Sequence, residues 1–197
     1  MTTLVLLLAC SGGSDEPKVE RDNPPIEDLG PPPEHQAALA QAEAAAKGLG
    51  KALKTHLVKA IEESGPAGGL KACSEDAVGL TALVAGTQGA KVGRASLRKR
   101  NPNNDGPDWV QAWLQGQGER PAEGVTGLHE IVDGTARFLA PVAIEPPCLL
   151  CHGETLADDV QAELAQRYPD DAATGYQLGD LRGAIWAEVK VAAAATE

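Results

Sequence analysis

The sequence predicts an α+β fold, with helices first and then a mostly antiparallel sheet carrying inserted helices. Three observations support that reading. Residues 34–64 are dense in Ala, Glu, Lys and Leu, which lose little on entering a helix. Two segments that read as strands, 127–132 and 135–144, flank Asp133-Gly134, a pair suited to the positive φ angles of a two-residue hairpin turn. Near the end, Ile185, Ala187, Val189 and Val191 alternate with Trp186, Glu188 and Lys190, the period of a strand with one buried face.

The elements follow in order. The first helix carries Leu49, Leu53, Leu57, Ala60 and Ile61 on one face at helical spacing. Gly65-Pro66 breaks it, and Pro66, with its fixed φ, suits the first turn of the next helix. That helix bears a second apolar stripe, Leu70, Cys73, Ala77, Leu80 and Val84, which turns Cys73 inward. Residues 90–98 read as a strand, and Asn101 to Pro107 as a turn-rich loop in which Asn101 and Asn103 shape the backbone. Asp108 is placed to cap a short helix holding Trp109 and Trp113. The hairpin strands come next, then a helix over 156–167 and the final strand, with no internal repeat.

Composition narrows the function. With 17 Lys and Arg against 28 Asp and Glu, the formal charge is −11, which argues against nucleic acid and against a peripheral hold on anionic lipid. Aromatic residues are only 3%, so Ala, Leu and Val must build the core, and a bound apolar group would supply bulk they lack. Residues 1–10 read as a lipoprotein signal, with a short apolar run, Leu4 to Ala9, ended by Cys10. Leu7-Leu8-Ala9-Cys10 resembles the lipobox of bacterial lipoproteins, in which the cysteine is lipidated. The run is too short to span a bilayer and lacks the basic start of a signal peptide, so the expected true start lies upstream. Residues 11–33, rich in Ser, Gly, Pro and charge, read as a tether, and 34–197 as the folded domain. The expected location is extracytoplasmic, on the periplasmic side, with a lipid holding the domain to a membrane.

The chemistry centres on Cys148-Leu149-Leu150-Cys151-His152, which reads C-x-x-C-H, the attachment signature of a c-type haem. Two thiols on one tight turn reach both vinyl groups of a porphyrin, and the adjoining histidine ligates the iron. A zinc site would need a second ligand pair, and none exists. A thioredoxin-like pair would need a βαβ setting, whereas Pro146-Pro147 precedes this one. One covalent haem c is therefore expected. For the other side of the iron the residues leave several candidates: Cys73, His129, His56, His35, or nothing. Methionine is excluded, because Met1 is the only one. His35 lies beside the tether, His56 reads as an exposed helix edge, and His129 as an ordinary strand histidine. Cys73 alone reads as an inert core thiol.

Beyond the haem motif stand Val92-Gly93-Arg94-Ala95-Ser96 and Arg100-Asn101-Pro102-Asn103 upstream, and Tyr168-Pro169-Asp170, Gly175-Tyr176, Gly179-Asp180 and Arg182-Gly183-Ala184 downstream. In that order, over about residues 40–192, the chain resembles the c-type haem domain family with a PAS-like fold. Members occur as stand-alone exported haem proteins and as extracytoplasmic sensor domains of histidine kinases and chemoreceptors. Ala95 stands where that family usually has Thr. The resemblance implies a PAS-like antiparallel sheet with N-terminal helices, and iron held by histidine and cysteine, which here match His152 and Cys73. A thiolate would favour ferric iron and lower the potential.

Lys91, Arg94, Arg98, Lys99 and Arg100 cluster in an otherwise acidic chain. They read either as a solvated strand edge or, for Arg94 or Arg100, as partners of haem propionates. The expected function is low-potential one-electron transfer to a redox partner protein. The alternative is a haem-based redox or gas sensor acting through a separate signalling protein, since no output segment follows Val191. A peroxidase-like enzyme would need an open iron position and a distal base, which a Cys73 ligand would block.

Overall fold

The computed structural model describes residues 30–193. The expected lipidated Cys10 and most of the expected tether lie outside them. Helix α1 (Pro33–Glu75) begins on a proline at its first position, where no backbone N–H is needed. It is bent at Ser64 (φ −141°) and Gly65 (φ 69°, ψ −175°), directly before Pro66. The expected break is thus a kink between two helical arms. Helix α2 (Ala77–Gln88) follows after a single residue, Asp76, and ends on Gly89 in the left-handed region. The second apolar stripe is therefore shared between the far arm of α1 and α2, rather than carried by one helix.

Strand β1 (Lys91–Ala95) is shorter than expected, because Ser96 leaves the ladder: its hydroxyl donates toward the Arg98 and Arg182 carbonyls. Helix α3 (Asp108–Gln117) is preceded by Pro107 as its cap residue, so Asp108 lies inside the first turn instead of capping it. Strands β2 (Leu128–Val132) and β3 (Thr135–Ala143) form the expected hairpin, with positive φ at both Asp133 and Gly134. A short turn at Pro146–Cys148 leads into α4 (Leu149–His152), then α5 (Asp158–Arg167) and β4 (Leu181–Lys190).

The sheet is antiparallel throughout, in the order β1-β4-β3-β2, so the last strand is an inner one. α1 crosses one face on a row of small buried side chains, Ala38, Ala42, Ala45, Ala46 and Leu49, against Val92, Ala136, Ala187 and Val189. The small residues let helix and sheet approach closely; a methyl on Gly50 would lie 2.9 Å from Ile185 Cδ1. The other face is covered as well. α3 packs Trp109, Val110, Trp113 and Leu114 around Trp186 and Leu139, and Trp109 donates to Glu188 at 2.7 Å. β4 therefore buries both faces, not the single face its alternation suggests.

Candidate functional site

Beyond Leu49 the α1 stripe leaves the core cluster and becomes a wall. Leu53, Leu57 and Ile61 from the near arm and Leu70 and Cys73 from the far arm line a cavity of about 450 Å³. β1 contributes Arg94, β4 contributes Arg182 and Ile185, and the α4 turn closes it with Cys148, Cys151 and His152. The volume falls within the usual range for a bound organic group, and the lining is largely aliphatic.

The C-x-x-C-H turn is held from several sides. The Gly153 N–H donates to Leu149 O at 3.0 Å, the Gly175 N–H to Gly153 O at 2.9 Å, and the Tyr176 N–H to His152 O at 2.9 Å. The Cys151 thiol points toward the Pro66 carbonyl at 3.8 Å, so it meets α1 at the kink. Cys73, Cys148 and Cys151 are all free thiols. Burial pushes the Cys151 thiol pKa up, as it does that of Cys73, where Arg94 and Arg100 oppose the rise.

His152 is oriented for ligation. Its Nδ1 lies 2.6 Å from Ala173 O, which fixes a proton there and leaves the Nε2 lone pair without a partner among the described residues. Burial, helped by Arg182 and Arg100, lowers its pKa to about 3, so the imidazole is neutral at ordinary pH, as a metal ligand requires. The Tyr176 ring backs it edge-on at 6.3 Å.

The arginines are not a solvated strand edge. Arg94 faces the cavity with no hydrogen-bond or ion-pair partner among the described residues, and burial lowers its pKa. Arg100 also lines the cavity, but its guanidinium is committed: Nη2 lies 2.9 Å from Asp171 Oδ2 and donates to Cys151 O at 2.6 Å. It braces the thiol-bearing turn. Arg182, quoted above only as part of a motif, reaches the cavity wall and donates from Nη1 to Ser96 Oγ at 2.5 Å. Its role was hidden because nothing in the local pattern of β4 marks which neighbour it meets.

The histidine candidates separate. His129 is exposed on β2, edge-on to Phe138 at 5.6 Å, and away from the cavity. His35 belongs to the first turn of α1, half-buried, rather than to a tether. His56 lies at the cavity, with Nε2 2.8 Å from Asp76 Oδ2, so it is more than an exposed helix edge. Asn101 shapes its loop as expected, its Oδ1 accepting from the Asn103 N–H at 2.9 Å.

Two thiols on one turn, an oriented neutral imidazole, a third thiol and an unpaired arginine therefore share one apolar cavity. That donor set fits a porphyrin held by thioethers and an axial imidazole. No curated protein matches the chain. The crystal structure of the cyanobacterial heme-protein Tll0287 matches it with a TM-score of 0.57 and 20% identity, over 84% of this chain and 100% of that one. The helix-flanked, PAS-like antiparallel sheet is thus a fold this chain shares with a solved protein. Residues 34–189 match the Tll0287-like family, a span that takes in the cavity and every motif around it, and the chain belongs to that family.

Proposed function

We propose that this is a c-type haem protein, with Cys148 and Cys151 as the attachment thiols, His152 as the proximal ligand and Cys73 as the sixth. The observation that carries the reading is the junction of His152, with its Nε2 lone pair free, and three free thiols on one cavity. The matched solved structure is that of a heme-protein, which supports it. Bound there, haem supplies a one-electron couple.

The surrounding residues set how that couple is held. The aliphatic wall gives a bound group an apolar surround, and a Cys73 thiolate on the iron would favour the ferric state. Arg94, without a hydrogen-bond or ion-pair partner among the described residues, offers its charge to a propionate; Arg100, already engaged by Asp171, serves the turn instead. The resulting function is low-potential electron transfer with a separate redox protein, in an exported domain anchored by lipid at Cys10.

One feature favours the sensor reading as second choice. His56, on the near arm of α1 and tied at 2.8 Å to Asp76, three residues beyond Cys73, offers a second imidazole at the same cavity. In a sensor, His56 would be the residue to take the iron position that Cys73 gives up when haem is reduced.

Spectra of the holoprotein and of Cys73→Ala test both readings. Haem should survive denaturation and acid-acetone extraction in both proteins. Cys73→Ala should move the ferric spectrum toward a high-spin form and raise the midpoint potential. Extractable haem would remove the attachment claim, and an unchanged Cys73→Ala spectrum would return Cys73 to core packing. A ferrous wild type that binds carbon monoxide readily would favour the sensor over the carrier.

A further inference from the structure

Arg94, Arg98, Arg120 and Arg182 are the described arginines without a carboxylate partner; Arg100, Arg137 and Arg167 are all paired. Three of those four converge on a second cavity, of about 270 Å³. It shares Ser96, Arg182 and Gly183 with the first cavity, while Arg98 and Arg120 line only the second. In a chain of net charge −11, unpaired guanidinium groups gathered at one cavity require an explanation.

Each of them keeps N–H groups to spare. Arg98 uses Nε on Ala172 O at 3.1 Å and Nη2 on Thr174 O, leaving Nη1. Arg182 uses Nη1 on Ser96 Oγ and on Arg98 O at 3.1 Å, leaving Nε and Nη2. Arg120 uses none; only its backbone is fixed, its carbonyl accepting from the Leu181 N–H at 2.9 Å. Glu119 and Asp180 also line the cavity, but neither forms an ion pair with these arginines, and Asp180 Oδ2 accepts from the Gln177 N–H at 2.7 Å. The balance is cationic, and the spare donors are planar forks, which match carboxylate and phosphate oxygens.

We propose that this cavity binds a small oxyanion, a phosphate or a short carboxylate, between Arg98, Arg120 and Arg182. The site itself does not depend on the haem reading; its consequence does. The Arg98 guanidinium lies 4.3 Å and that of Arg182 5.4 Å from the centre of the Tyr176 ring, which backs His152. An anion there offsets positive charge next to the proximal histidine, so it favours ferric iron and lowers the midpoint potential.

Calorimetry on the holoprotein, with ionic strength held constant by sodium chloride, tests the site. Inorganic phosphate and succinate are the two probes, and they separate the two sources of the chemistry. At least one should saturate a single site with Kd below about 1 mM. Arg120→Gln should weaken it about tenfold, the loss of one charge-assisted contact. Arg120 is exposed and its side chain has no protein partner, so the variant should fold. Lys51→Gln, an equal charge change on the exposed face of α1, should leave binding unchanged. Failure of both probes to saturate, or wild-type binding by Arg120→Gln, would overturn the site. Saturating anion should also lower the haem midpoint potential; binding without that shift would overturn the coupling. Absence of attached haem would instead remove the functional reading and leave the calorimetric result standing.

Discussion

Arg100 and Asp171 are each 9% exposed at the side chain, and they meet behind the thiol-bearing turn. Asp171 also takes the Ala173 N–H on Oδ1 at 2.8 Å, in the segment whose carbonyl orients His152. Removing one partner of a buried pair leaves the other charge uncompensated. Asp171→Asn should therefore cost about 3–5 kcal/mol in urea denaturation. Replacement of both residues by apolar ones should cost less than the single change. The candidate residues Cys148, Cys151 and His152 were legible as a group because their spacing is local, and the turn that holds them forms. The braces were not. Arg100 read as a solvated basic residue or a propionate partner, and not as a brace, because its carboxylate partner is remote in sequence and no periodicity links the two. Tyr176 and Arg182 were visible only as members of motifs, without the contacts that give them a role.

The kink in α1 decides where Cys73 lies. Gly65, at φ 69° and ψ −175°, occupies a region essentially closed to residues with a side chain, although a methyl there would meet no neighbour within 4 Å. The demand is on the backbone alone. Gly65→Ala should cost about 1–3 kcal/mol, read from thermal or urea unfolding. It should also disturb the holoprotein's ferric spectrum, because the arm bearing Cys73 shifts against the arm bearing His56. A normal spectrum with normal stability would show that the bend is not required. The kink and the hairpin were readable in advance, since Gly-Pro and Asp-Gly act through their own dihedral angles. The division between α1 and α2 was not. Asp76 keeps near-helical angles, φ −93° and ψ −24°, so the apolar stripe runs through it without a change of period. The shortening of β1 was hidden for a different reason, because it depends on Ser96 meeting a carbonyl of β4.

At the scale of the whole molecule, a folded domain of high negative charge is expected to hang from a lipid at Cys10. Labelled fatty acid should enter the full-length protein and not Cys10→Ser, and fractionation should move that variant from membrane to soluble fractions. Equal labelling of the two proteins would refute the anchor. The fold class was legible from helix-forming and alternating segments. The strand order was not, because alternation identifies a strand without naming its neighbours, and it missed the cover that α3 places on the second face of β4. That order has a consequence for assembly. Among the described strands β1 and β3 are joined only through β4, the last of them in chain order, so β1 has no partner among them until residues 181–190 exist. Pairing of such distant segments is slow compared with local turns. The Cys148–His152 segment emerges earlier, while the walls that Arg182 and Ile185 will supply are still missing. On the proposed haem c reading, the enzyme that joins a porphyrin to those thiols would meet an open chain, and the final strand would then close the sheet over a finished attachment.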